Sequence, residues 1–232
     1  MSSEILINVT PSETRAVLVD NGVLQEVFIE RAEYRGLVGN IYKGRVCRVL
    51  PGMQAAFVEI GLTRAAFLHA SDISIPQGQT GDLQEKKVPA ITSLLREGQE
   101  VLVQVIKDPM GTKGARLTTQ LSVSSRYLVY MPEIHGVGVS LKIEDENERD
   151  RLKGCLESQL SLDNGGYILR TAAEGVQESE LLADLQFLHR LWGKVKDRKM
   201  TVKSGETLHE DLPLPLRSLR DLFSPDVEKI RI

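Results

Sequence analysis

The residues with most to offer chemically are aromatics set among cations. Phe57 and Phe67 sit in short apolar stretches, with Tyr42 and His69 near them and Lys43, Arg45, Lys107 and Lys113 in the same part of the chain. An exposed phenylalanine can stack on a flat heterocycle, and neighbouring lysines and arginines can hold phosphates. Each residue also has an ordinary use. Either phenylalanine would serve in a hydrophobic core. His69 fits a packed or solvent-facing position as well, and a lone cation is most often a solvated surface charge. Lys113 stands out because Gly111 and Gly114 flank it, and glycines let backbone approach closely. Tyr42 is the weaker stacking candidate. Outside this region, Thr171-Ala-Ala-Glu174 has the spacing of a helix capping box, following Arg170.

Charge is distributed unevenly. The net formal charge of the 232 residues is -3, which alone speaks weakly against a polyanionic partner. Residues 31–56 nevertheless carry Arg31, Arg35, Lys43, Arg45 and Arg48 against Glu33 alone. Residues 189–203 carry Arg190, Lys194, Lys196, Arg198, Lys199 and Lys203 against Asp197. A phosphate backbone needs only a local basic surface. Acids gather elsewhere, notably at 144–150. Hydrophobic residues at 41% and charged residues at 26% are ordinary for a soluble globular chain. No run is apolar enough to span a membrane, and the first residues lack a secretory signal. Cys47 and Cys155 are far apart, offer no zinc ligand set and fit a reducing cytoplasm.

The elements that must position these residues can be read in outline. Ile5–Val9, Arg15–Val19 and Val23–Ile29 read as strands, with a hairpin signal at Asp20-Asn21-Gly22. Three short strands cannot bury a core alone. Their natural partner is a terminal strand at Glu228–Ile232, preceded by a short helix around Leu216–Phe223. Strands are expected at Ile41–Leu50, Ala55–Ile60, Ala65–Leu68, Val101–Lys107 and Ala115–Leu121. A loop with Pro76, Gly78 and Gly81 follows the third, then a short helix at Ala90–Arg96. Five short strands with a long third connection suggest an OB-type barrel. Beyond it, Tyr127–Met131 and Tyr167–Arg170 read as strands and Asp145–Leu160 as a charged helix. Leu181, Leu185, Leu188, Trp192 and Val195 recur at helical spacing, predicting an amphipathic helix of about 20 residues.

The block Gly44-Arg-Val-Cys-Arg-Val-Leu-Pro-Gly-Met-Gln-Ala-Ala-Phe-Val-Glu-Ile-Gly61, then Ala66-Phe-Leu-His-Ala-Ser-Asp72 and Gly98-Gln-Glu-Val-Leu-Val-Gln-Val-Ile-Lys-Asp108, resembles an S1 domain. The wider chain resembles the ribonuclease E/G family of bacterial endoribonucleases, its ribonuclease G branch most nearly. The resemblance runs from about residue 3 to the end. It rests on Asn8-Val-Thr-Pro-Ser-Glu-Thr-Arg15, Val38-Gly-Asn-Ile-Tyr-Lys-Gly-Arg45, Gly111-Thr-Lys-Gly-Ala-Arg-Leu-Thr-Thr119, Arg126-Tyr-Leu-Val-Tyr-Met-Pro132 and Arg170-Thr-Ala-Ala-Glu-Gly175.

That resemblance implies an α+β protein. A five-stranded OB-fold S1 barrel (residues 36–123) and an α/β 5′-sensor region (124–205) would be inserted in a split RNase H-like subdomain (1–35 and 206–232). It places Phe57 and Phe67 on the RNA-binding face. It also implies that Arg170, Thr171 and the backbone amide of Val129 clasp a 5′-monophosphate. A guanidinium fork suits a terminal phosphate, which has more charge and more free oxygens than a phosphodiester.

The implied partner is single-stranded RNA, preferably 5′-monophosphorylated, and the implied processes are ribosomal RNA maturation and messenger RNA decay. Family hydrolysis uses magnesium held by paired aspartates, and family protomers share zinc through paired cysteines, assembling as dimers or higher. Neither motif occurs here; Asp211, Asp221 and Asp226 match no family catalytic position. The expectation is a half-enzyme that binds RNA without cutting it. The alternative is a stand-alone S1 protein or RNA chaperone blind to RNA ends. A hydrolase built on Asp20 and Glu59 has no support in their spacing.

Overall fold

The computed structural model describes residues 2–74, 89–160, 165–224 and 226–232. The loop with Pro76, Gly78 and Gly81 lies outside the described residues. The chain divides into two compact units, Met1–Gly36 with Asp211–Ile232, and Leu37–Glu210.

The smaller unit begins with β1 (Ser3–Val9), β2 (Glu13–Asp20) and β3 (Val23–Arg31), an antiparallel meander. Its second hairpin closes through Asn21 and Gly22, both at positive φ (49° and 78°), as a two-residue turn of the hairpin-favouring hand requires.

The larger unit opens with the barrel. Its strands are β4 (Ile41–Leu50), β5 (Ala55–Glu59), β6 (Ala66–His69), β7 (Glu100–Lys107) and β8 (Arg116–Thr118), with the short helix α1 (Ile91–Leu94) between β6 and β7. The order is β4-β5-β6-β8-β7, and β7 pairs back onto β4 to close it; β6 and β8 run parallel. This is a closed five-stranded OB-like barrel, and closure removes its free edges. Alternating residues fill it: Val46, Ala56, Val58, Ala66, Leu68, Val103, Val105 and Leu117, with Ile91 and Leu95 around α1.

A second sheet follows. It contains β9 (Val123–Ser124), β10 (Leu128–Met131), β11 (Gly136–Val139) and β12 (Gly166–Leu169), in the order β11-β12-β10-β9. Helix α2 (Glu146–Glu157) lies between β11 and β12, which are parallel and so need a crossover. Helix α3 (Glu178–Thr201) buries Leu181, Leu185, Leu188, Trp192 and Val195, the five positions its periodicity marks. Tyr130 and Tyr167 pack against it from the sheet, their rings 5.0 Å apart. Ile41 of the barrel belongs to the same buried cluster, so barrel and second sheet share apolar contacts. A last short strand, β13 (Thr207–His209), pairs with β4. Residues 206–210, assigned from sequence to the final segment, thus belong with the larger unit, and Val123 belongs to the second sheet.

The chain then returns to the smaller unit with α4 (Leu214–Leu222) and β14 (Val227–Arg231). Strand β14 pairs with β1 in parallel, the partner expected for the first strands. Ile5, Ile7, Ala16 and Leu214 form the buried apolar cluster of this unit, flanked by Leu18, Leu219, Leu222 and Val227. None of the described helices is long and apolar enough to cross a membrane.

Candidate functional site

Burial alternates from Ala56 to Glu59 in β5 and throughout β6. Ala56, Val58, Ala66 and Leu68 point inward and are fully buried, so Phe57 and Phe67 between them point outward. They face each other across the pairing, with centroids 6.2 Å apart at 69°. Phe67 also lies beside His69, at 6.4 Å and 27°. Neither phenylalanine is in the core.

Register extends the pair into a row across the barrel. Arg48 of β4 lies opposite Phe57, Arg116 of β8 opposite Phe67, and Lys107 of β7 opposite Arg116. Two aromatic faces are thus bracketed by cations, the arrangement that stacks bases and holds phosphates. Phe57, Phe67, Lys107, Lys113 and Arg116 line one groove of about 620 Å³, together with Met53 and Met110. Arg116 is paired with Asp72 at 2.9 Å. Arg48, Lys107 and Lys113 form no ion pair among the described residues.

Lys113 is delivered by a tight loop. Gly111 takes a positive φ (57°), and a Cβ on Gly114 would stand 2.1 Å from the carbonyl oxygen of Ala65. Glycine is therefore required where this loop crosses the start of β6. The guanidinium of Arg64 donates to the Gly111 carbonyl and ties the two loops together.

Other expected residues fall elsewhere. Tyr42 is a correction: it is 5% exposed, packed in the barrel core, and cannot stack on a ligand. Lys43 is largely covered, ion-paired to Glu100 at 3.2 Å, and donates to the Val202 carbonyl at 3.3 Å, so it ties β4 to the end of α3. Arg45 is exposed but sits between Glu59 and Glu100 on the neighbouring strands. Arg48 and Arg116 were missed from sequence. A bulge between Val46 and Arg48 turns both Cys47 and Arg48 outward, and strict alternation hides it. Arg116 meets Phe67 only through a non-local parallel pairing.

Arg170 follows β12. Its amide donates to Tyr127 O at 2.8 Å, and its Nη1 donates to Ser125 O at 2.8 Å and Arg126 O at 3.4 Å. Thr171 is exposed, with its hydroxyl 3.1 Å from that of Ser140. Residues 171–173 form a single 3-10 turn in which Glu174 N–H donates to the Thr171 carbonyl, and no side chain caps it. The capping-box alternative is overturned, because no α-helix starts there. Val129 lies between β9 and β12, paired with Ser124 and Ile168, so its amide points along the sheet toward a neighbouring strand.

A profile of the S1 RNA-binding domain matches residues 37–120, the span of the barrel. A profile described as the ribonuclease E/G family matches residues 122–232. Ribonuclease G of Escherichia coli K12 is 54% identical over 235 residues, covering 100% of this chain. The chain belongs to the ribonuclease E/G family. Ribonuclease G of Haemophilus influenzae is 54% identical over 99% of the chain and 47% of the relative. Ribonuclease E of a Nostoc species is 37% identical over 93% of the chain and 30% of the relative. The chain spans 48% of the length of the Escherichia coli ribonuclease G it matches. Among the described residues, no group of three or more His, Cys, Asp or Glu side chains is placed to hold a metal ion.

Proposed function

We propose that this chain binds single-stranded RNA across the outer face of its barrel, as the RNA-recognising half of a ribonuclease G-like endoribonuclease. One observation carries this reading: the cross-strand row Arg48–Phe57–Phe67–Arg116–Lys107 over the groove that Lys113 lines. Single strands are favoured because only unpaired bases offer both faces to Phe57 and Phe67. Stacking tolerates any base, so recognition here would be broad in sequence. The division into an S1 barrel, a 5′-sensor sheet and a split RNase H-like subdomain is part of the same proposal.

The 5′ end would be read at Arg170 and Thr171. Their adjacency, and the anchoring of Arg170 Nη1 on Ser125 and Arg126 carbonyls, support a fixed cation beside a hydroxyl. A terminal monophosphate suits that pair; a 5′-hydroxyl gives it nothing to grip. Ribosomal RNA maturation, messenger RNA decay and assembly as dimers or larger are proposed from the family resemblance. No cleavage step is derived from these residues.

The test is fluorescence anisotropy with single-stranded RNAs that differ only in carrying a 5′-monophosphate, 5′-triphosphate or 5′-hydroxyl. Monophosphate preference in the parent, lost in Arg170→Ala, supports the sensor. Equal binding of all three, lost only in Phe57→Ala, leaves an S1 module blind to ends. No binding to any of them removes the RNA reading altogether.

A further inference from the structure

We infer that the solvent face of α3 is a second contact surface for the same RNA strand, continuous with the barrel. The inference rests on the RNA-binding reading above but uses residues that reading leaves idle. Between Arg190 and Lys203 the chain carries Arg190, Lys194, Lys196, Arg198, Lys199 and Lys203 against the single carboxylate of Asp197. Among the described residues, Arg190, Lys194, Lys196, Lys199 and Lys203 form no ion pair. Arg198 donates to the Thr207 carbonyl at 3.0 Å.

The helix sorts these residues by face. Leu181, Leu185, Leu188, Trp192 and Val195 mark the buried line. At 3.6 residues per turn, Phe187, Arg190, Lys194 and Arg198 fall within an arc of about 80° away from it. Phe187 is 47% exposed. An exposed ring followed at helical spacing by cations repeats the chemistry of the barrel row.

A structural role covers only part of this. Cations stabilise a helix C-terminus within its last turn, which accounts for Arg198 and Lys199. Arg190 and Lys194 lie turns earlier, and the exposed ring of Phe187 contributes nothing to the dipole.

Continuity with the barrel selects the ligand. Strand β13, which follows α3, pairs with β4, the strand that carries Arg45 and Arg48. The carbonyl of Val202, just past α3, accepts from Lys43. A strand leaving the Phe57–Phe67 row along β4 therefore comes to the end of this helix.

Affinity should be measured on the full chain, by anisotropy against salt, for two unstructured RNAs of the same composition. One fits a single barrel, which takes about 4–16 nucleotides, and one is several times longer. In the double variant R190Q/K194Q, the short RNA should bind as in the parent. The long RNA should bind about 3- to 10-fold more weakly, and its salt slope should fall by about 1.4, since each lost phosphate contact on a single strand is worth about 0.7. Phe187→Ala should weaken the long RNA with the salt slope kept. An unchanged affinity and slope for the long RNA would overturn the proposal. So would binding of polyglutamate to the parent but not to the double variant, with RNA binding intact, since that assigns the face to an acidic protein. Failure of the parent to bind even the short RNA would refute the barrel reading, and this inference with it.

Discussion

The carboxylate of Asp184 accepts the backbone amide of Leu128 at 3.1 Å, and the same oxygen takes the Tyr127 amide at 3.0 Å and the Ser125 hydroxyl. A side chain of α3 thus shapes the turn whose Ser125 carbonyl anchors Arg170. Asp184→Ala strands two amides at once, while the Ser125 hydroxyl keeps the Leu128 carbonyl as an acceptor at 3.0 Å. The expected cost is about 2–4 kcal/mol, since hydrogen bonds to a charged acceptor contribute about 1.5–3 kcal/mol each and do not add fully. Urea denaturation measures it. If Arg170 reads a 5′-phosphate, the variant should also lose the difference in affinity between monophosphate and hydroxyl RNAs. Hydroxyl RNA, which needs only the barrel, should bind as before.

Phe57 and Phe67 should matter to binding and little to folding, because both rings lie outside the barrel core. Each alanine variant should lose roughly 1–3 kcal/mol of RNA affinity, the contribution of one stacked base. Stability should change much less than the several kcal/mol typical of a buried phenylalanine. Anisotropy and thermal unfolding on the same samples decide it. A large loss of stability with unchanged RNA affinity would mean that the rings serve packing instead.

Why some of this was legible and some was not follows from how far each signal reaches along the chain. The face of α3 is written locally, in five apolar residues at helical spacing, and so is the turn at Asn21-Gly22. The barrel strands announce themselves by alternation closed with Gly and Pro. Strands β9, β11 and β13 were missed because they have two to four residues each, and β11 contains Gly136 and Gly138. Their strand character comes from partners distant in sequence. Tyr42 is different. Its inward direction is implied by Lys43 and Arg45 facing out on the same strand, so phase along β4 held the answer. The anchors of Arg170 lie in another loop, where no local pattern points to them.

Two glycine substitutions should move in opposite directions. Gly114→Ala brings a methyl against the Ala65 carbonyl oxygen, which belongs to backbone and cannot swing aside. The loop must shift, at a cost of about 1–3 kcal/mol. Lys113 shifts with it, so RNA affinity should fall as well. Gly154 sits inside α2 with nothing within 4 Å of its Cβ position. Gly154→Ala should raise stability by about 0.5–1 kcal/mol through helix propensity alone and leave RNA binding unchanged. Thermal melts beside anisotropy on both variants check the pair.

The loop that follows Arg170 should carry an acid-sensitive link. Glu148 of α2 is paired with Arg151 at 2.6 Å and accepts the Gly175 amide at 2.8 Å; Arg151 also donates to Val176 O at 3.1 Å. The Arg151 guanidinium, seconded by the Gly175 amide, holds the Glu148 carboxyl at about 2, below its ordinary 4.5. Burial opposes this and is outweighed. A carboxylate depressed in the folded state contributes stability that is fully present above about 4.5 and lost as pH falls toward about 2. The pair is accessible to solvent, so its contribution is screened and modest. Between about pH 5 and pH 3, urea midpoints of the parent should therefore fall faster than those of Glu148→Gln, which has no proton to take up there. Parallel slopes would show that Glu148 holds the loop without contributing to its acid sensitivity. Slow exchange of the Gly175 amide near neutral pH, lost in the glutamine variant, would locate the link at this hydrogen bond.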